Sequence, residues 1–301
     1  MRLKPRVVIA IGVVFTSFSA ILVRLADAPP LAVASWRMIF TTVLLTPLVA
    51  YERIRPASPR STPNAARSDT GRTSSILLSV ASGMFLALHF ALWITSLSYT
   101  SVASSTILVT THPVIVGVTG FLLLGERIPL RGLLFMITAF AGSVILVWGG
   151  LADGEATTFG NLLAFLGAVT VSGYLILGRV ARRHLSVNGY TIIVYSVAAV
   201  LLVAASLLFG VPLGPYPARE LLIFFALALF CTLLGHSLFN WALKYVTTTI
   251  VSTSILGEPV IAGLLAILFF GEVPTLLTFV GGSVILVSVY RFLAGVTDPA
   301  D

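Results

Sequence analysis

The sequence predicts an all-α integral membrane protein whose ten transmembrane helices form two inverted repeats of five. Composition, the spacing of apolar runs and an internal echo carry that prediction. Of 301 residues, 57% are hydrophobic and only 10% charged, with a mean hydropathy of +1.05; a soluble domain carries roughly 25% charged residues. Each span needs roughly 20 apolar residues to cross the ~30 Å hydrocarbon core. Such runs lie near 7–25, 31–50, 75–96, 102–124, 131–149, 159–179, 189–210, 220–243, 247–270 and 275–293. The alternating polarity of membrane-barrel strands is absent, so helices must satisfy the backbone in lipid.

The echo divides the chain. Tyr99, Pro113, Gly125 and Glu126 return as Tyr245, Pro259, Gly271 and Glu272, all displaced by 146 residues, with PVI and GE in the same register. GSVILV at 142–147 returns at 282–287, displaced by 140, so the second copy is six residues shorter after its Glu. The repeats are residues 1–150, which include a polar loop at 52–74, and residues 151–301. Five spans is an odd number, so the two copies enter the membrane in opposite directions.

Charge supports the same arrangement. Counting alternate loops from the amino end, one side receives fifteen Lys and Arg and the other only Arg24 and Arg219, with Arg37 left inside a span. That asymmetry places both termini in the cytoplasm of a multi-pass protein of the cell (inner or plasma) membrane. It also explains the net charge of +7 without nucleic acid as a partner.

Taken in order, the first span follows Arg2, Lys4 and Arg6 as a signal peptide's would, but nine more spans follow, so it reads as an uncleaved signal anchor. It ends in Arg24, Asp27 and the Pro29-Pro30 pair, a rigid external turn. The second carries Trp36 and Arg37 about a third of the way in. A guanidinium at that depth costs at least ~2.5–3.5 kcal/mol unless it faces protein or water. Arg37 therefore either snorkels to the external surface or lines a pathway. Residues 52–74, with Pro56, Pro59 and Pro63 among Arg, Ser and Thr, read as a disordered cytoplasmic loop.

Span three holds His89 and Trp93, and span eight holds His236, Asn240 and Trp241. His89 lies ten residues before Tyr99 and His236 nine before Tyr245, so the two histidines occupy nearly equivalent places. The i, i+4 spacing sets His89 with Trp93, and His236 with Asn240, on one face. Singly, such histidines read as packing residues held by hydrogen bonds; their paired placement equally supports a site. In spans four and nine, His112 and Glu258 precede the matched prolines near mid-membrane. Pro113 and Pro259 have no N–H, so the carbonyls of Val109 and Ile255 lose their helical partners. Either these are plain proline kinks, or interrupted helices build a polar site around His112, Glu258 and Ser254, which shares a face with Glu258.

After these spans, Gly125 and Gly271 supply C-terminal caps, while Glu126 and Glu272 either mark the water boundary or serve a gate. Spans five and ten carry Ala141-Gly142 and Gly281-Gly282, small residues that allow close helix approach within the half or against another subunit, so a homodimer is one partner they admit. The single cysteine, Cys231, excludes a disulfide framework and a paired-thiol metal site.

At these residues, Pro113 to Glu126 and Pro259 to Glu272, the chain resembles the drug/metabolite transporter superfamily, EamA type, and the resemblance covers nearly the whole chain. It implies ten helices in two five-helix repeats, alternating access, and a central cavity lined by helices one, three, four, six, eight and nine. It places His89, Trp93, His112, His236, Asn240 and Glu258 near that cavity. The membrane-embedded Glu near the amino end that serves small cation-drug members as a proton site has no counterpart here, because the first span contains no acid. Two other classes fit the sequence less well. An intramembrane hydrolase needs a nucleophile and base or paired aspartates, yet no span contains Asp and neither G-x-S-x-G nor H-E-x-x-H occurs. A non-transporting receptor or scaffold needs a partner domain, and 52–74 is the only substantial polar segment.

The expectation is therefore a transporter of a small zwitterionic or neutral polar metabolite, with export of amino acids or related compounds favoured, embedded in lipid, without cofactor, metal or catalytic residue. Its pathway candidates are Arg37, His89, Trp93, His112, His236, Asn240, Trp241, Ser254 and Glu258, with Pro113 and Pro259 as helix breaks. Trp93 and Trp241 suit an apolar side chain or ring. The fifteen-to-two asymmetry predicts that reporter fusions after Arg67, Arg183 and Asp301 read cytoplasmic, and fusions near Asp153 and Tyr216 external. An external signal after Arg67 or Asp301 would overturn the inverted arrangement.

Overall fold

The computed structural model describes residues 4–54, 69–100, 102–125, 129–148, 157–270 and 276–295, and the regular elements among them are helical. In order they are α1 (Pro5–Arg24), α2 (Pro30–Ile54), α3 (Asp69–Ser96), α4 (Val102–Val109), α5 (His112–Leu124), α6 (Leu130–Trp148), α7 (Thr158–Ala181) and α8 (Val187–Leu208). Then come α9 (Ala218–Ala226), a π-helical stretch (Leu227–His236), α10 (Ser237–Ala242), α11 (Thr248–Ile255), α12 (Glu258–Phe270) and α13 (Leu276–Gly295). Among the described residues, seven helical stretches are long and apolar enough to cross a membrane, one of them α9 through α10 and another α11 through α12. Three shorter apolar helices accompany them, His112–Leu124, Leu130–Gly142 and Phe279–Phe292.

The outer surface is apolar where a soluble protein's is polar. Leu123, Leu268 and Phe279 are 72%, 77% and 68% exposed, which only lipid can cover at this scale. Polar side chains turn inward and bond to their own helices: Ser17 donates to the Val13 carbonyl at 2.6 Å, Thr41 to Arg37 at 2.7 Å and Ser79 to Ser75 at 2.7 Å. This is a multi-pass membrane protein. Its helix limits follow the apolar runs closely, and α5 ends where Gly125 adopts a left-handed φ of 64°, a conformation that favours glycine.

Two features differ from the sequence reading. Segments 102–124 and 247–270 are each two helices, interrupted at Thr110-Thr111 and at Leu256-Gly257. The limits repeat the spacing of the tyrosines: Val102–Val109 becomes Thr248–Ile255, and His112–Leu124 becomes Glu258–Phe270. The loop expected at 52–74 is helical at both ends, because α2 reaches Ile54 and α3 begins at Asp69. A helix keeps its backbone hydrogen bonds in water as in lipid, so polar composition marked the water boundary and not the helix end. The centre of that segment, like Gly271, Glu126 and Glu272, lies outside the described residues.

The most extensive helix pairings join an element before residue 150 to one after it: α3 with α7 and α8, α2 with α8, α6 with α13, and α1 with the π stretch and α12. Glycines let the backbones approach. A Cβ on Gly83 of α3 would stand 2.8 Å from the Val194 carbonyl oxygen of α8, and one on Gly235 would stand 2.5 Å from Thr16 Cγ2 of α1. In the GSVILV copies, a Cβ on Gly142 would lie 3.0 Å from the Gly281 carbonyl oxygen, so spans five and ten pack on each other. The side expected to be external is tied across the halves as well. Arg219 Nη1 donates to Asp27 Oδ2 at 2.7 Å and to Glu220 Oε1 at 3.0 Å, while the Asp27 N–H donates to Glu220 Oε2 at 3.1 Å.

The α3–α8 contact gives a direct test. Gly83→Ala should destabilise the folded protein by about 1–3 kcal/mol through overpacking, read as a lower unfolding temperature in detergent. Gly263→Ala, where a Cβ meets nothing within 4 Å, should lower it not at all. Equal behaviour of the two variants would refute the close packing of α3 on α8.

Candidate functional site

The helix breaks create the site's backbone. Pro113 cannot donate to the Val109 carbonyl, and His112 supplies the missing bond: its Nδ1–H donates to Val109 O at 3.0 Å. A carbonyl only accepts, so Nδ1 carries the proton and the buried Nε2 is left without a hydrogen-bond partner. At the matching break Glu258 heads α12, where the positive end of a helix favours an anion. Thr16 of α1 is its neighbour, with the Thr16 hydroxyl itself donating to the Gly12 and Val13 carbonyls at 3.1 Å. Ser254, one turn earlier, is buried and donates to the Ile250 carbonyl at 2.7 Å. Equivalent positions thus present an imidazole in one copy and a carboxyl in the other.

Arg37 lies beside them, 0% exposed. That excludes the outward-snorkelling posture. Its Nε donates to Thr232 Oγ1 at 2.9 Å and its Nη1 to Ser19 Oγ at 3.0 Å, while the guanidinium carbon rests 4.2 Å from the Phe90 ring centroid. Nη2 has no hydrogen-bond partner. Thr232 comes from the π stretch, where its hydroxyl reaches back five residues to the Leu227 carbonyl at 3.3 Å. The widened turn is a common device at functional sites, since it re-aims side chains that an α-helix would carry elsewhere.

Around this guanidinium stand the histidines. His89 donates Nδ1–H to the Gly167 carbonyl at 3.0 Å and stacks on Trp93, with centroids 6.1 Å apart and planes 2° apart. His236 meets Phe90 edge-on at 5.5 Å and lies 6.1 Å from Tyr174. Below them runs a hydrogen-bonded chain: Tyr174 donates to Asn240 Oδ1 at 2.8 Å, Asn240 Nδ2 donates to the Tyr195 hydroxyl at 3.2 Å, and that hydroxyl pairs with Ser237 at 3.0 Å. Arg37 lies close enough to His89, His236 and Glu258 for their charges to interact, and His112 to both other histidines. Trp241 is placed differently. Its ring contact is with Tyr245, 4.5 Å away at the end of α10.

Seven buried side-chain N or O atoms among the described residues have no hydrogen-bond partner. Four of them are Arg37 Nη2, Trp93 Nε1, His112 Nε2 and His236 Nδ1, and the others are hydroxyls of Thr42, Thr106 and Thr253. A buried unpaired polar atom costs about 1–3 kcal/mol, and four of the seven belong to Arg37 and to indole and imidazole rings near it. No group of three His, Cys, Asp or Glu among the described residues could hold a metal ion.

The profile of the EamA-like transporter family matches residues 4–148 and again residues 158–294. The chain belongs to this family. Its relatives include an uncharacterized transporter of Archaeoglobus fulgidus, 25% identical over 280 residues and covering 91% of each chain. Another is a pseudopaline exporter of Pseudomonas aeruginosa, 28% identical over 209 residues, 68% of this chain and 71% of the relative. A solved crystal structure 17% identical, spanning 98% of this chain and all of that one, superposes with a TM-score of 0.75 and so shares the fold. This EamA-like chain is a membrane transporter.

The sequence did not single out Ser19, Phe90, Tyr174, Tyr195 or Thr232. The tyrosines carried a usable signal: membrane tyrosines favour the interfaces, whereas Tyr195 sits in the middle of α8. Arg37 and Tyr195 also bring α2 and α8 to a site that the EamA-type resemblance had built from other helices. The Asn240 side chain joins the two tyrosines, so Asn240→Leu should strand the Tyr174 hydroxyl, while Tyr195 keeps Ser237, and cost about 1–3 kcal/mol. Thermal unfolding checks this, and an unchanged transition would show that the chain of bonds contributes nothing.

Proposed function

We propose that the chain is a secondary transporter that exports amino acids or closely related small metabolites by alternating access between two inverted five-helix repeats, residues 1–150 and 151–301. Both termini lie in the cytoplasm and the protein resides in the cell membrane. The reading rests on one observation, the unpartnered atoms gathered in the core. Arg37 Nη2 and Trp93 Nε1 are donors, the neutral His112 ring offers an acceptor at Nε2, and Glu258 adds a carboxyl. Donors facing acceptors are the complement of a zwitterion, and the rings of Phe90, Trp93 and His236 suit an apolar or aromatic substituent. The matched interruptions of α4–α5 and α11–α12 support the repeat, and the relative named as an exporter supports the direction.

Glu258 is assigned the coupling role, because a carboxyl at mid-membrane is expensive to keep unless it exchanges a proton or meets a substrate ammonium. In proteoliposomes, Glu258→Gln, which imitates the protonated acid, should keep exchange of identical amino acids across the membrane while losing accumulation driven by a pH gradient. His112→Ala should cause the smaller loss, since a neutral imidazole leaves no charge unmatched. Unchanged affinity and unchanged pH dependence in Glu258→Gln would reduce the residue to a packing carboxyl. Absence of saturable flux for every metabolite in wild-type vesicles would favour a receptor or scaffold.

A further inference from the structure

The guanidinium of Arg37 is held as a fork with one arm open. Of its donors, Nε is bound to Thr232 in the second half of the chain and Nη1 to Ser19 in the first, and its flat face lies on Phe90. Three contacts in three directions fix the plane of the group, and what they leave is Nη2, buried and without a partner. A charge in this setting is costly: removing an ion from water costs several kcal/mol even after relaxation unless a counter-charge compensates. Among the described residues no carboxylate lies within ion-pair distance of it; Arg219 pairs with Asp27 and Glu220 elsewhere. Glu258, the acid in mid-span, heads α12 near enough for its charge to interact with the guanidinium but outside ion-pair distance.

We infer that Arg37 is the anchor for a carboxylate of the transported molecule, which takes Nη2 and the second N–H of Nη1 in a two-bonded fork. This inference rests on the transport reading above and narrows it to substrates carrying a carboxylate. The geometry favours carboxylate because three N–H groups remain in the guanidinium plane, two on Nη2 and one on Nη1, and a side-by-side pair of such donors is what a planar carboxylate matches with both oxygens. A single guanidinium among hydroxyls and rings balances one negative charge; phosphate sites assemble several cations. The hydroxyls of Ser19 and Thr232 are positioning groups, because they accept from the guanidinium and aim it.

The test uses the purified full-length chain in detergent, in chloride-free buffer, with thermal unfolding as the binding readout. The probes are L-phenylalanine, its methyl ester, 3-phenylpropanoate, sodium chloride and sodium phosphate. Both acids should stabilise the protein saturably, and the ester should bind at least about thirtyfold more weakly, the usual loss when one partner of a buried charged pair is removed. Arg37→Gln should erase the distinction between acid and ester, and Arg37→Lys, which keeps charge without the fork, should fall between. If Arg37→Gln does not fold, Ser19→Ala supplies the reading, since it releases Nη1 and should weaken acid binding several-fold more than it weakens ester binding.

The inference is overturned by an ester that binds as tightly as the acid, by chloride or phosphate competing as well as the acids, by an acid preference that survives in Arg37→Gln, or by no acid binding at all. Vesicle flux separates this outcome from failure of the transport reading. Saturable flux of the ester but not the acid sinks the carboxylate anchor and keeps the transporter. Acid binding that needs Arg37, without flux of any probe, keeps the anchor and sinks transport of these compounds.

Discussion

A bilayer offers no partner to a bare N–H or carbonyl, and the rest of this structure depends on that constraint. Pro113 and Pro259 open the backbone where no water can repair it. The chain repairs the first opening itself, with His112 returning to the Val109 carbonyl. At the second, the head of a helix meets an acid, and α1 brings Thr16 to face it. Helices can wrap such breaks only if they come from elsewhere in the chain. Hence α1 runs against the π stretch and α12, and α5 packs on both α7 and α11.

The copies have diverged in chemistry while keeping their geometry. Their helix limits agree residue for residue, yet an imidazole stands at one break and a carboxyl at the other. The pseudo-symmetric pair is therefore asymmetric in charge, which gives the site a direction that two identical copies would lack. The interleaving also limits how such a site opens. Separating the first half bodily from the second would strip α3 from α7 and α2 from α8, the broadest contacts present. The alternating access proposed above therefore slides these faces past one another rather than parting them.

What was legible in the sequence was one-dimensional. Run length gave the apolar helical stretches to within a few residues at most ends, seven of them long enough to span a membrane, and the constant displacement gave the paired breaks and the residues at them, because proline chemistry acts on its own neighbours. Gly125 as a cap was readable for the same reason. Helix rotation was not readable. A helix such as α5 or α12 is apolar all round, so hydropathy does not say which face turns inward. Arg37 consequently had two open postures, Tyr174 and Tyr195 passed unnoticed, and the partner of the small-residue stripe in α6 waited for α13. The π stretch was also hidden, since nothing in LALFCTLLGH requires a wider turn.

The bond between Arg37 and Thr232 spans 195 residues, and that distance becomes time when the protein is made. At about 5–20 residues per second of synthesis, the guanidinium spends on the order of 10–40 seconds in or near the membrane before Thr232 exists. Of its final setting, Ser19 precedes it, His89, Phe90, Tyr174 and Tyr195 are made during that interval, and Thr232 comes last among its hydrogen-bond partners. A long side chain so stranded reaches for the headgroups. The bond to Thr232 is thus an event of assembly, completed only when the eighth span arrives.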